Sequence, residues 1–369
     1  NIDALLGNLP LRGNVGFQYV DTKVNSTGTL AGIGIQTVED KYDDFLPSLN
    51  LSLEVADDTF IRGAVAKTLT RARLDQLAAN QSFNRNALVC PDTDSDGVPD
   101  DIVPQDSPQQ TCFGLGGGNP FLKPYESTQY DLSFEKYFGE ATAVAVALFR
   151  KDLSNWVLDR TILVDGTPFY QAAGLGSFVA NNPQVAPTRL DGPVNFADGF
   201  IQGIELTARV SLDDILPDTL TGFGFSGSYT YSDNGLNDES GNQITIPGQS
   251  KDIWSADVYY ENYGFRAKLS ARHRSGFLSE VLNFDGTLSG ASATSETILD
   301  AQIGYEWDQG LLEGFSINLE AYNLTDEPFR TQNDLFYDSP TGDVAAGETF
   351  ISRHEQYGTT YNITIAKKF

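Results

Sequence analysis

Along most of this chain, apolar and polar residues alternate with a period of two. In the C-terminal run YGTTYNITIAKKF, Tyr361, Ile363, Ile365 and Phe369 share one parity, while Thr360, Asn362, Thr364 and Lys368 share the other. Successive side chains of a strand point to opposite faces, so each such run encodes a β-strand with one apolar and one polar face. In FGFSGSYTYS, Phe223, Phe225, Tyr229 and Tyr231 oppose Gly224, Ser226, Ser228, Thr230 and Ser232. Leu299, Ala301, Ile303, Tyr305 and Trp307 oppose Asp300, Gln302, Gly304 and Glu306 in the same way. The pattern returns at 49–55, 204–210 and 315–322, and helical periodicity is nearly absent. The chain is therefore expected to be all-β.

The polar face decides between two all-β architectures. A sandwich interior needs bulky side chains from both sheets, whereas a wide barrel turns its apolar face to lipid and its polar face to a wet lumen. Here the far face is consistently small or charged, which selects an antiparallel transmembrane β-barrel. Strands are expected near 11–24, 29–40, 44–56, 58–70, 126–138, 141–158, 197–212, 220–233, 250–262, 264–282, 295–308, 313–325 and 349–369. The turns at 56–58, 138–140 and 262–264 are tight, while the connections at 71–125, 159–196, 234–249, 283–294 and 326–348 are long. Short turns on one rim and long loops on the other are the build of outer-membrane barrels. Tyr137, Phe138, Tyr259, Tyr260, Tyr263, Phe265 and Trp307 cluster by the short turns, as an interfacial aromatic girdle would. Cross-strand aromatic pairing in any antiparallel sheet is the second account of them.

Composition narrows the partners. Lys and Arg total 24 against 50 Asp and Glu, a net charge of −26, so nucleic acid is a poor partner and neutral or cationic ligands fit better. The longest nearly apolar run, Ala141 to Phe149, is far short of the roughly 20 residues a membrane helix needs. With no basic-then-apolar leader and no Met anywhere, the sequence is expected to be a mature piece. The two cysteines, Cys90 and Cys112, lie in one polar connection and suit a disulfide of an oxidising compartment better than a metal site.

Several stretches, in order, resemble the C-terminal part of a TonB-dependent outer-membrane receptor. They are RGNVGFQYVDTKVNSTG at 12–28, YDDFLPSLNLSLEVADDTFIRGAVAKTLTRARLDQL at 42–77 and GNPFLKPYESTQYDLSFEKYFG at 118–139. ALFRKDLSNWV at 147–157, FIQGIELTARV at 200–210 and INLEAYNLTDEPFR at 317–330 continue the set, which ends on the aromatic closing strand. Within the family the chain looks closest to a proteobacterial branch that takes up glycans and similar nutrients. The resemblance implies an outer-membrane transporter that is not an enzyme, binds a scarce organic nutrient at its extracellular loops and is energised through TonB.

Such transporters have 22 strands around a plugged lumen, and about thirteen are counted here. The plug, the TonB box and the first barrel strands are therefore expected to lie outside these residues, and outer-membrane lipid, the TonB complex and a surface lipoprotein are the implied partners. Two rival readings remain open: a smaller passive porin or adhesin barrel in which 1–24 pairs with 349–369, and a secreted calcium-dependent carbohydrate-binding β protein.

The sharpest local motif is CPDTDSDGVPDD at 90–101. Asp92, Asp94 and Asp96 alternate, Gly97 permits a sharp turn, Val98 offers a carbonyl and Asp100 takes the ninth place of a calcium loop. Val103 stands where an EF-hand needs a bidentate Glu, so the motif looks more like the aspartate-rich calcium repeats of thrombospondin type. Clustered hard oxygen ligands point to a structural Ca²⁺ within the 71–125 loop, with a solvated acidic loop as the alternative; no organic cofactor is expected. For the nutrient, Trp156, Phe169, Tyr170, Phe178, Trp254, Phe336 and Tyr337 are candidate stacking residues, with Asn181, Asn182, Asn333 and Asp334 as hydrogen-bonding groups. Each could equally pack a loop or girdle. His273 and His354 lack ligand spacing and are expected to face the lumen or a loop, and GLGGGN at 114–119 reads as a plain loop.

Overall fold

A computed structural model describes residues 1–369 except 31–33, 104–110, 215–220, 238–242, 285–286, 335–348 and 369. The chain opens with β1 (Ile2–Leu6), β2 (Leu9–Leu30), β3 (Gly34–Ala56) and β4 (Thr59–Thr70). It continues through β5 (Gln81–Arg85), β6 (Phe113–Gly117), β7 (Tyr125–Phe138) and β8 (Thr142–Asp165). Two short helices, α1 (Thr167–Ala172) and α2 (Gly176–Asn181), precede β9 (Pro187–Ser211), β10 (Phe223–Asn237), β11 (Gln243–Ile244), β12 (Asp252–Asn262) and β13 (Phe265–Arg274). The remainder is β14 (Phe277–Phe284), β15 (Thr287–Ala293), β16 (Glu296–Glu306), β17 (Phe315–Tyr322), β18 (Phe329–Asp334), β19 (Thr349–Glu355) and β20 (Thr360–Lys367).

The wall is an antiparallel meander, β2-β3-β4-β7-β8-β9-β10-β12-β13-β16-β17-β20, within a 16-stranded sheet. Strands β14, β15, β18 and β19 form a second sheet that extends the neighbouring hairpins beyond it. Among the described residues no register joins β1 to β20, so the sheet is open. Turns on the near rim follow from backbone geometry: Asn262 pairs with Phe265, and Tyr263 and Gly264 both take positive φ, 52° and 76°. That is the two-residue turn whose twist matches the flanking strands, and glycine adopts it without strain.

Register turns the alternation of the sequence into belts. Val210, Phe225, Val258, Leu269, Ala301, Ala321 and Tyr361 are consecutive partners across seven strands. Among the described residues no second layer covers this face: Val258 is 54% exposed, Ile303 52% and Ile363 69%. A sandwich would bury these positions, so the secreted-protein reading loses its physical basis. The opposite face is polar. Asp257 accepts from Ser270 Oγ (2.5 Å) and Ser226 Oγ (3.1 Å) and pairs with Lys268 (3.1 Å). Arg272 meets Asp300 at 2.7 Å, and Asn50 donates to Asn14 at 3.1 Å.

The apolar band has two edges. Near the short turns, Phe223 and Tyr260 (4.6 Å), Tyr260 and Phe265 (5.9 Å), and Tyr305 and Trp307 (4.8 Å) form an aromatic belt. Tyr137 and Tyr259, expected in that belt, take the lumen parity; Tyr137 donates to Glu135 at 2.9 Å. At the other edge Trp254 stacks on His273 at 5.4 Å. Both lie on the parity of Val258 and Leu269, so Trp254 belongs to the outer belt rather than the mouth, and His273 does not face the lumen. From Phe265 to His273 is nine residues, in line with the roughly 9–11 that a tilted membrane strand takes. Beyond that edge the outer face turns ionic, with Asp21–Lys41 at 3.0 Å, Lys23–Glu39 at 3.2 Å and Arg150–Asp152 at 2.8 Å.

Candidate functional site

Strands β2, β3, β8 and β9, of 22 to 25 residues, run well past the apolar band. The connections at 71–125 and 159–196 build a head on their far ends. The first is not the plain loop the sequence suggests. Its β5–β6 hairpin pairs in parallel with β9 (Gly114 with Arg189, Gly116 with Asp191) and touches β2 at Leu30 and Gln81. Because β3, β4, β7 and β8 lie between β2 and β9 in the meander, the hairpin closes a ring on that rim. Asn80 clamps it to the wall, its Oδ1 accepting from Thr29 N–H at 2.9 Å, while Ala79 N–H donates to Ser26 Oγ at 2.9 Å. A Cβ on Gly28 would fall 2.5 Å from Asn80 Oδ1, and one on Gly117 would fall 2.0 Å from the Asn80 carbonyl. The glycines of GLGGGN thus permit this close strand packing.

Inside the head is an ordinary core. Cys90 and Cys112 form a disulfide with Cα atoms 5.2 Å apart, packed with Val89, Phe113, Tyr170, Leu175, Val179 and Val185. Phe83 stacks on Phe113 at 4.5 Å, and Tyr170 meets both edge-on at 5.5 and 5.0 Å. Phe169 and Phe178 each lie 6.4 Å from a member of this group, measured to Phe83 and Tyr170 respectively. Tyr170 is wholly buried, its hydroxyl donating to the Val185 carbonyl at 3.0 Å, and burial pushes its phenol up to about 12. In this arrangement three of the proposed stacking residues face protein, because fixing the hairpin needs a core that the Gly-rich β6 cannot supply alone.

The remaining ligand candidates scatter. Trp156 sits at a bulge of β8, edge-on to Tyr125 at 5.3 Å and against Leu236 and Ile246. Asn182 ends α2, its Nδ2 donating to the Phe178 carbonyl at 3.0 Å, whereas Asn181 is exposed. Phe336 and Tyr337 lie outside the described residues, as do the side chains of Asn333 and Asp334. His354 sits on β19 and accepts from Arg330 Nε at 3.1 Å. On the lumen face, a concavity of about 450 Å³ is lined by Arg12, Asn14, Asn50, Arg62 and Asp131 together with apolar Ala64 and Ala147, a mixed surface that alternation did not localise.

The acidic loop hangs from the disulfide. Carboxylate oxygens of Asp92, Asp94 and Asp100 lie within 4.8 Å of one another. Asp96 stands apart from that trio; its Oδ1 accepts Val98 N–H at 2.7 Å and so shapes the turn through Gly97, whose φ is 90°. Asp92 Oδ2 pairs with Arg85 and accepts Gly97 N–H at 3.1 Å, and the hydrogen-bonded guanidinium is the chief reason its carboxyl is held below the usual range. Asp100 is also lowered, first through the Thr93 hydroxyl, which donates to it at 2.6 Å. Several described cations of the far side are paired internally: Arg73 with Asp75 (2.9 Å), Lys123 with Asp40 (2.9 Å), Arg189 with Asp191 (2.7 Å) and Arg353 with Glu355.

An open meander with a lipid-facing apolar band, a polar lumen face and a disulfide-pinned head defines an outer-membrane β-barrel. The family model described as TonB dependent receptor-like, beta-barrel matches residues 3–324, and the chain belongs to that family of Gram-negative outer-membrane proteins. Its fold is similar to that of a ferric enterobactin receptor (PfeA) mutant from Pseudomonas aeruginosa in complex with enterobactin, with a TM-score of 0.60 at 16% identity over 99% of this chain and 53% of that one. The unliganded ferric citrate transporter FecA gives 0.56 at 15% identity, over 98% of this chain and 43% of that one. The siderophore receptor PirA from Acinetobacter baumannii gives 0.53 at 15% identity, over 86% and 48%. The chain thus spans about half the length of these receptors. No curated protein matches it.

Proposed function

We propose that this chain is the extracellular and wall-forming part of a TonB-dependent transporter that captures a neutral organic nutrient, a glycan first, and passes it inward. Family membership supports energised transport across the outer membrane. The choice of a neutral ligand rests on one observation: among the described far-side cations, Arg73, Arg85, Lys123, Arg189 and Arg353 are each engaged by one of the protein's own carboxylates, and Arg71, Arg274 and Arg330 are hydrogen-bonded to other protein groups. A site for an anionic ferric chelate needs uncommitted positive charge, because a like-charged mouth disfavours both encounter and binding. The relatives named for ferric enterobactin, ferric citrate and siderophores share under a fifth of their residues with this chain, so their cargo need not transfer.

The plug and the TonB box belong to the whole receptor in this reading, and a surface lipoprotein is its further proposed partner. The test is depletion of a ligand panel by the purified full-length receptor, using neutral oligosaccharides, cobalamin and ferric siderophores. Retention of an oligosaccharide is expected. Retention of a ferric siderophore in preference to every neutral compound would overturn the glycan reading while leaving the receptor assignment in place. Uptake by intact cells that persists after the proton-motive force is collapsed would overturn the TonB coupling.

A further inference from the structure

We propose that the loop at 90–101 binds one Ca²⁺ ion through Asp92, Asp94 and Asp100 and so stiffens the β5–β6 hairpin on the extracellular rim. The trio has the right size. Ca²⁺ takes oxygen ligands at about 2.3–2.6 Å, so two oxygens on one ion stand at most about 5 Å apart. Oxygens of these three residues lie within 4.8 Å of one another.

Proximity of acids alone would describe any solvated loop, and Asp92 supplies the second observation. Its side chain is only 3% exposed, yet Oδ1 has no hydrogen-bond partner. A carboxylate oxygen taken out of water with nothing in return is costly, and a bound cation removes that cost. Arg85 and the Gly97 N–H occupy Oδ2, leaving Oδ1 for the ion and holding the ligand from behind.

The ligand set is hard oxygen throughout, which selects Ca²⁺ over softer metals. Its demand for six to eight ligands would be completed by water and backbone carbonyls, with Val98 at the motif's seventh position. The site is coupled to the head on both sides. Arg85 ends β5, and Cys90, two residues before Asp92, is bonded to Cys112 beside β6. An ion here would tie the acidic loop to both hairpin strands.

The test is calorimetric titration of CaCl₂ and, separately, MgCl₂ into the purified, chelator-stripped protein in detergent at physiological salt. One Ca²⁺ per chain is expected, with Kd on the order of 0.1–1 mM as for extracellular calcium modules. Asp94→Asn and Asp100→Asn should each weaken it about tenfold or more, as loss of a charged oxygen ligand does. Asp101→Asn is the control, since Asp101 Oδ1 only accepts the Ile102 N–H at 2.8 Å. Retained heat-modifiable migration of every variant confirms that the barrel is folded. Equal heats for both metals that ignore Asp94→Asn would overturn the proposal in favour of diffuse screening, as would the absence of a saturable Ca²⁺ signal.

Discussion

The wall and the head of this molecule place their apolar side chains by opposite rules. In the wall, Leu269, Ile303 and Ile363 stand outward and exposed, and carboxylates such as Asp257 and Asp300 point inward. In the head, Phe113 and Tyr170 are buried around a disulfide while Asp94 and Asp100 face solvent. What differs is the medium on each side. Lipid removes the gain from hiding hydrocarbon inside, so the wall is held by its hydrogen-bonded registers, whereas the head, surrounded by water, depends on apolar burial. One chain therefore carries two folding logics, and changes to each should act by different mechanisms.

The largest effect is expected from emptying the head. Tyr170→Ala removes a fully buried ring and its hydroxyl bond to Val185, at a cost of about 3–5 kcal/mol. The loss should be confined: protease susceptibility of residues 71–125 and 159–196 rises, while the folded barrel keeps its heat-modifiable migration. A barrel that fails with the head would break the separation of the two regions.

Next comes the wall. Leu269 lies midway between the belt residues Phe265 and His273, so Leu269→Arg puts a charge at the centre of the lipid band, costing about 2–4 kcal/mol. Denaturant unfolding in lipid vesicles measures it. A negligible cost there would mean that this face does not meet lipid.

A third test titrates the head alone. The Tyr170 phenol sits at about 12 in the folded state because burial disfavours the phenolate, against about 10 when unfolded. A raised folded value means the stabilisation is complete below about pH 10 and is lost as pH climbs through about 12, amounting to at most roughly 3 kcal/mol. Phenolate absorbance of wild type against Tyr170→Phe should show one late-titrating tyrosine. Ionisation of every tyrosine near pH 10 would contradict the burial.

The same contrast explains what could be read in advance. The wall was legible because lipid and lumen each demand one polarity, which writes a period of two into Leu49–Val55 and Leu299–Trp307. Where a strand leaves the membrane the demand lapses: β3 runs unbroken from Gly34 to Ala56, yet reads as two strands because Lys41 and Asp43 occupy its outer parity. Trp254 reads as a mouth aromatic by its place near a long connection, yet its parity with Val258 puts it on the outer face. In the head, six-residue helices are too short to show a period, and the burial of Tyr170 arises from Phe83, Phe113 and Val185, far apart in sequence. The acidic trio was legible in part because its spacing is local; that Asp96 turns away to hold Val98 depends on backbone geometry.

The smallest expected effect is the sharpest test of the wet lumen. Asn50 precedes Leu51 in β3 and points to the opposite face, where its side chain donates to Asn14 at 3.1 Å. Asn50→Leu forfeits one solvent-accessible hydrogen bond, a net loss of about 1 kcal/mol or less, because water satisfies what Asn14 loses. In a dry, packed interior the same change would strand the Asn14 amide and overfill the space, and its cost would approach that of Leu269→Arg. Unfolding the two variants side by side in the same vesicles thus reports whether the polar face borders water, which a transport path along this wall requires.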